Sequence, residues 1–222
     1  MGWPSLLVMV RHAESEGNVR SVDERAAYEC ATYAYHITER GQRQSRITAE
    51  FLNAKYDRFD VRYTSYYNRA KETMAILCPG EKVYEDSRLA EAQRGVFHVL
   101  TETEIEQCMP WELKRKEREG LYHFRPAGGE NWMDVEQRIH SFLGTLSRDY
   151  DGQKVLIVVH GHWLILFKKL VHHFSIQEAI DRYHSKVAKN TAVTVYRAAL
   201  DDRGHSRLQL VIDDYCPWEG KL

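Results

Sequence analysis

Leu6-Leu7-Val8-Met9-Val10-Arg11-His12-Ala13-Glu14-Ser15-Glu16-Gly17-Asn18 passes abruptly from five apolar residues to a polar, glycine-containing sequel. An apolar run this short, bounded this way, reads as a central strand of an α/β sheet, buried on both faces. Ligands of open α/β sheets collect beyond the carboxyl ends of the strands, so His12 is expected to emerge where chemistry is done. An arginine beside a histidine supplies what is needed to hold a phosphate against a nucleophilic imidazole. Arg-His dipeptides are common on protein surfaces, so the meaning of this one rests on its company.

A second apolar strand, Lys154–Val159, ends at His160-Gly161-His162 just as the first ends at Arg11-His12. If the two are parallel neighbours, both imidazoles leave the same edge of the sheet. Val61–Thr64 reads as a shorter strand. The helix after it, Asn68–Leu77, carries Arg69 in its first turn and stops before Cys78-Pro79-Gly80. Helix N-termini and arginine forks both favour anions, so two arginines, two histidines and a helix start predict a site for a dianionic phosphoryl group. Elsewhere Thr38 caps a helix running through Ile47, Phe51 and Leu52, and residues 101–120 read as helical, polar and exposed. Residues 131–146 place Trp132, Val135, Ile139, Phe142 and Leu143 at helical spacing; 162–172 is an apolar helix, and 191–198 and 207–212 are β-rich. This alternation predicts an α/β fold: a three-layer α/β/α domain over 1–222, with a central, mainly parallel mixed sheet and a helical, lid-like insertion at about 92–125.

Bulk properties exclude several classes. The chain has 222 residues, 43% hydrophobic and 28% charged, with a net charge of −1, so no basic field points to nucleic acid or an anionic membrane. Cys30, Cys78, Cys108 and Cys216 are scattered, with no CxxC pair, which argues against a disulfide framework or a zinc site and for a reducing cytoplasm. There is no signal-peptide pattern, and the longest apolar stretch, 155–170, is interrupted by His160-Gly161-His162 and too short to span a bilayer. No partner is implied beyond a small phosphorylated substrate.

Six segments, in order, carry a family resemblance. Arg11-His12-Ala13-Glu14-Ser15-Glu16-Gly17-Asn18 resembles the Arg-His-Gly signature of the histidine phosphatase superfamily, in its phosphoglycerate-mutase-like branch. Ile37-Thr38-Glu39-Arg40-Gly41-Gln42-Arg43-Gln44 resembles its Leu-Thr-x-x-Gly-x-x-Gln segment, and Thr64-Ser65-Tyr66-Tyr67-Asn68-Arg69-Ala70-Lys71-Glu72-Thr73 its Ser-x-x-x-Arg-Ala-x-x-Thr segment. Leu89-Ala90-Glu91 with Gly95, Ala127-Gly128-Gly129-Glu130-Asn131, and Val158-Val159-His160-Gly161 complete the series, which covers roughly residues 6–197. The resemblance implies His12 as the nucleophile that becomes a phosphohistidine. It implies Arg11, Arg69 and His160, with Asn18 and Gly161, around the phosphate oxygens, and Glu91 as proton donor to the leaving group. It implies no metal and no cofactor. Chemistry agrees: covalent catalysis splits one hard displacement into two, and adjacent arginines disfavour the imidazolium form of His12.

Plainer readings stand beside these. Arg69 would serve equally as an ion-pair partner of Glu72, Asn18 as the cap of the turn after the strand, and Glu91 competes with Glu85, Glu102 and Glu104. His162 with His172-His173 raises a metal site, against which stands their separation along one helix. The departures from the family pattern also matter. Ala13 replaces a glycine, and its methyl is expected to narrow the pocket or tilt the loop. Residues 19–37 contain Asp23, Glu24 and Glu29, expected to repel a carboxylated substrate, and Glu102 lies near where a mutase has a basic residue. Together with Gly128-Gly129-Glu130 these favour a phosphomonoesterase over a phosphoglycerate mutase, with a non-catalytic phospho-ligand-binding module as the third reading.

Overall fold

The computed structural model describes residues 2–222. Its strands are β1 (Leu6–Arg11), β2 (Val61–Thr64), β3 (Tyr84–Glu85), β4 (Lys154–Val159), β5 (Val193–Leu200) and β6 (Ser206–Tyr215), in the sheet order β3-β2-β4-β1-β5-β6. β3, β2, β4 and β1 run parallel; β5 is antiparallel to β1 and closes with β6 as a hairpin. The register pairs Arg11 with Val159, so the two candidate histidines follow one another's strands at the same edge.

Alternation along β1 and β4 builds two cores, one on each face of the sheet. Leu7, Met9, Val155, Ile157 and Val159 pack with Ile139, Phe142, Trp163 and Phe167. Leu6, Val8, Val10, Leu156 and Val158 pack with Leu52, Met74 and Leu77. The first set of helix residues comes from α7 (Trp132–Asp149) and α8 (Gly161–His172), the second from α3 (Glu39–Lys55) and α4 (Asn68–Leu77). Strands buried on both faces need apolar residues at every position, which is why β1 and β4 are continuous runs. The result is the three-layer α/β/α arrangement with a mixed sheet.

The remaining helices are α1 (Glu16–Val19), α2 (Val22–Ala26), α5 (Glu102–Cys108), α6 (Pro110–His123) and α9 (Ile176–Ser185). Residues 101–120 thus form two helices rather than one, parted before Pro110, and α6 breaks at Gly120, whose φ is +72°. Glu112 in this segment is buried rather than exposed, because its carboxylate accepts from Arg115 at 2.8 Å and from the Ala127 amide at 3.0 Å. α9 carries Ile176, Ala179, Ile180 and Tyr183 at helical spacing, whereas α2 has no such apolar stripe. Each begins with a capping box, Ser175 with Glu178 and Ser21 with Glu24, which satisfies amides a short helix otherwise leaves open. Among the described residues no helix is long and apolar enough to cross a membrane, and all four cysteines are free thiols.

Thr38 accepts from the Gly41 amide at 3.0 Å, and its own amide donates to the Glu14 carbonyl at 2.9 Å, docking α3 on the segment after His12. A Cβ on Gly41 would stand 2.2 Å from that carbonyl oxygen, a backbone atom with little freedom to move. Gly41→Ala is therefore expected to destabilise the fold by about 1–3 kcal/mol, read by denaturant unfolding, through overpacking.

Candidate active site

Three parallel strands deliver the site. β1 runs into His12, β4 into His160, and β2 into Ser65, while Arg69 occupies the first turn of α4. The rings of His12 and His160 lie 5.1 Å apart, both buried. The Arg69 guanidinium sits between them, donating from Nε to His12 Nε2 at 3.2 Å and from Nη2 to His160 Nδ1 at 3.3 Å; Nη1 donates to the Thr32 carbonyl at 2.7 Å. The face of Tyr67 lies 4.5 Å from the guanidinium carbon and its edge against His160. Glu72, the plainer partner for Arg69, is instead engaged with His36 and with the Ile37 amide at 2.8 Å.

Each imidazole is oriented by its other nitrogen. His12 Nδ1 is 2.7 Å from the Ala13 carbonyl, which can only accept, so Nδ1 carries the proton and Nε2 the lone pair. His160 Nδ1 accepts from Arg69, so its Nε2 donates to Ser65 Oγ at 2.8 Å. Arg11 donates from Nη1 to the Ala188 carbonyl, while its buried Nε has no partner among the described residues. A buried, unsatisfied guanidinium N–H is a donor held ready for an anion. Gly161 packs against the same side chain: a Cβ there would lie 2.8 Å from Val187 and 3.3 Å from Arg11 Nε.

Glu91 is the one acid among the described residues lining a cleft of about 390 Å³ with Arg11, His12, Asn18, Arg69 and Gly161. Its two oxygens accept from the Ala92 amide at 3.0 Å and the His162 amide at 3.3 Å. Glu104 caps the Thr101 amide at 2.7 Å, Glu85 pairs with Lys71, and Glu102 lies outside this cleft. Asn18 takes the capping place, at the edge of the cleft. Its Oδ1 caps the Ser15 amide at 3.0 Å and accepts from Asn190 at 3.2 Å, while the residue lines the cleft.

Two expectations are corrected. Ala13 is fully buried, with its amide donating to Thr73 Oγ1 at 2.9 Å, and it does not line the cleft, so its methyl does not narrow the pocket. Asp23, Glu24 and Glu29 are exposed and face away from the cleft wall, whereas Arg25 of α2 and Arg94 line it. A short helix presents one face inward, and that face is the basic one. Neither Arg25 nor Arg94 has a carboxylate within ion-pair distance among the described residues, so this region carries more positive charge than the acid count implied. His98 beside them is pushed down to about 4, first by burial and then by Arg94, Arg25 and Arg69.

Ser65, Tyr67, Thr73 and Asn190 also support the site. Asn190 donates to the His12 carbonyl at 3.0 Å across almost the whole chain, and its neighbour Thr191 holds φ at +52°, a costly region for a β-branched residue, with its amide on the Arg11 carbonyl at 3.0 Å. Ser65, Tyr67 and Thr73 all lie in the Thr64–Thr73 segment that carries the family resemblance, which gives none of them a role; Asn190 lies outside every quoted motif. His162 and His172 occupy opposite ends of α8, with His172 hydrogen-bonded to Tyr196, and among the described residues no three His, Cys, Asp or Glu side chains converge as a metal site would require.

Burial, and then the charges of Arg69 and Arg11, hold His12 well below its ordinary 6.5; burial, Arg69 and His12 do the same to His160. In the unfolded chain both titrate near 6.5, so below that pH the unfolded state takes up protons the fold refuses. Stability from these groups is whole above 6.5 and falls as pH drops. Unfolding measured at pH 7.5 and 5.5 should show a loss that shrinks in His12→Gln or His160→Gln, by roughly 1.4 kcal/mol per pH unit for each histidine removed.

Comparison with known proteins follows the same lines. A 2,3-bisphosphoglycerate-dependent phosphoglycerate mutase of Parvibaculum lavamentivorans is 30% identical over 168 residues, 72% of this chain and 77% of that protein. Phosphoserine phosphatase 1 of Hydrogenobacter thermophilus is 26% identical over 156 residues, 69% of this chain and 70% of its own. The crystal structure of the α-ribazole phosphatase from Shigella flexneri superposes with a TM-score of 0.74 at 19% identity, covering 95% of this chain and 97% of that one, a likeness of fold. The family pattern described as histidine phosphatase superfamily (branch 1) matches residues 7–210, from the first strand into the last, and the chain belongs to that superfamily.

Proposed function

We propose that the protein is a metal-independent phosphomonoesterase acting through a phosphohistidine on His12. The observation that carries this reading is the lone pair of His12 Nε2, set beside Arg69 and His160 in a cleft whose lining contains a single carboxylate, Glu91. Phosphate draws the Arg69 Nε–H from His12 Nε2 to a non-bridging oxygen; the freed lone pair then attacks phosphorus and the P–O ester bond breaks. Glu91, as a carboxylic acid, gives its proton to the departing alkoxide. Water then attacks phosphorus, Glu91 takes a proton back, the P–N bond breaks, and inorganic phosphate leaves with His12 neutral again. Arg11 and Arg69, with Asn18 and the backbone at Gly161, hold the non-bridging oxygens, and His160 joins them by exchanging Arg69 or Ser65 for phosphate. Fixed cations in a buried site stabilise the spread charge of a phosphoryl transition state without reorganising.

The substrate is a small phosphate ester, with residues 92–125 forming a lid over the leaving-group end of a single domain. Water is the favoured acceptor because the cleft opens to solvent and a phosphoserine phosphatase stands among the relatives. The second reading, a phosphoglycerate-mutase-type phosphotransferase, is favoured by the 30% identical mutase and by Arg25 and Arg94 in the cleft. It requires interconversion of 2- and 3-phosphoglycerate without net phosphate release.

The protein should release phosphate from para-nitrophenyl phosphate in the presence of chelator, and His12→Ala should abolish this; full activity in that variant overturns the assignment of the nucleophile. Glu91→Gln should slow turnover of an alkyl phosphate by about 10²- to 10⁴-fold. The first-step loss should be smaller for para-nitrophenyl phosphate, whose phenolate departs without needing a proton. Equal losses in single-turnover assays of both esters would remove Glu91 as the acid.

A further inference from the structure

The cleft does not end at Glu91. Adjoining it is a narrower crevice of about 80 Å³ walled by Phe97, Leu121, Phe124, Trp132 and Tyr183. Ala92, Arg94, His162 and Tyr183 line both spaces. The Glu91 carboxylate is tied to the amides of two of these shared residues, Ala92 and His162. An oxygen that takes its proton from Glu91 therefore leaves at the mouth of an aromatic slot.

The walls of the slot hold one another. Phe97 and Phe124 meet edge to face at 5.8 Å, and Trp132 packs against Tyr183 at 5.3 Å and His162 at 4.5 Å. The chain changes direction at Gly120, and Leu121 and Phe124 beyond it complete the lining. Two polar residues in the wall are committed: Glu130 to Arg138 at 2.9 Å and the Gln93 amide at 3.0 Å, the Gln93 side chain to Tyr67. Three are not. His162 Nε2 is buried without a hydrogen-bond partner among the described residues, at the junction of the two spaces. Arg94 has no carboxylate at ion-pair distance among the described residues, and Lys116 Nζ lies over the Phe97 ring at 5.1 Å. Aromatic walls with a few open polar donors are what a flat ring carrying polar substituents requires.

We propose that this crevice receives the alcohol part of the substrate, and that the preferred esters are those of alcohols carrying an aromatic or similarly flat apolar ring close to the phosphorylated oxygen. This rests on the phosphomonoesterase reading for the direction of the ester, phosphorus at His12 and leaving oxygen at Glu91. Phe97, Phe124 and Tyr183 then select the substrate by contact, and His162 Nε2 meets a polar atom on the ring.

The test compares ethyl phosphate with 2-phenylethyl phosphate, whose alkoxides are of similar basicity, so that the ring and not leaving-group chemistry is varied. The ratio of their kcat/KM values should favour the aromatic ester on the order of tenfold or more, the scale on which an apolar pocket discriminates. It should fall toward one in Phe97→Ala and in Phe97→Gln. Calorimetric binding of both esters to His12→Ala protein reads the same preference without turnover. Equal kcat/KM values in the wild-type protein overturn the crevice assignment and leave the esterase standing, as does a preference that survives both Phe97 substitutions. If no ester is hydrolysed, the esterase reading fails, and binding decides the crevice: tighter binding of the aromatic ester supports it, equal binding overturns it.

Discussion

A single buried guanidinium joins the parts of the site. Arg69 touches His12, His160 and the Thr32 carbonyl at once, and so links the ends of β1 and β4 to the segment before α3. Burying that charge is costly unless its donors are met. Here two imidazole nitrogens, a carbonyl and the face of Tyr67 meet them, and Glu91 lies near enough to oppose the depression that burial imposes on both Arg69 and Arg11. Burial first, and then the charge of Arg69, disfavour protonation of both histidines. A cation that suppresses protonation of its neighbour while pointing donors at the same space prepares an anion site and a nucleophile together.

That arrangement depends on register more than on any side chain. β1 and β4 are paired in parallel with Arg11 opposite Val159, so His12 and His160 both stand one residue past the ladder. A one-residue slip would exchange the two faces of β1, sending Leu7 and Met9 into the core built by α3 and α4. The apolar runs that read as strands are thus also what fixes the catalytic spacing. Thr38 and Gly41 fix the segment after His12, since the docking of α3 on Glu14 leaves no room for a side chain at Gly41.

The parts legible in the sequence are those where one residue type answers one physical demand. β1 and β4 are continuous apolar runs because both faces are covered, and Thr38 precedes its helix because its hydroxyl accepts the Gly41 amide. His12, His160 and Arg69 were readable because strand ends and a helix start gather at one edge of a parallel sheet. Asn190 was not, being an ordinary polar residue whose partner His12 lies 178 residues away in sequence, and Thr73 and Tyr67, though inside a quoted segment, carried no sign of their contacts to Ala13 and His160. The acids of 19–37 misled for a related reason. Charge summed over a segment says nothing of which side faces the cleft, and α2 turns Arg25 inward while Asp23 and Glu24 stay in solvent.

The division of labour within the cleft follows from how each interaction varies with the ligand. On the proposed reading, phosphoryl oxygens present the same charge and geometry in every monoester, so Arg11, Arg69 and His160 would recognise all of them alike and contribute nothing to choosing among alcohols. Selection falls to whatever meets the leaving group, and there contact area rather than charge discriminates, because one apolar group more or less changes binding while the phosphate end is unaffected. In the proposal that wall is the crevice built by residues from 92–125 together with α7, α9 and His162 at the start of α8. Phe97, Leu121 and Phe124 lie on a segment crossed by helix breaks at Met109 and Gly120, so their substitution reshapes the slot without disturbing the β1–β4 register on which His12 depends.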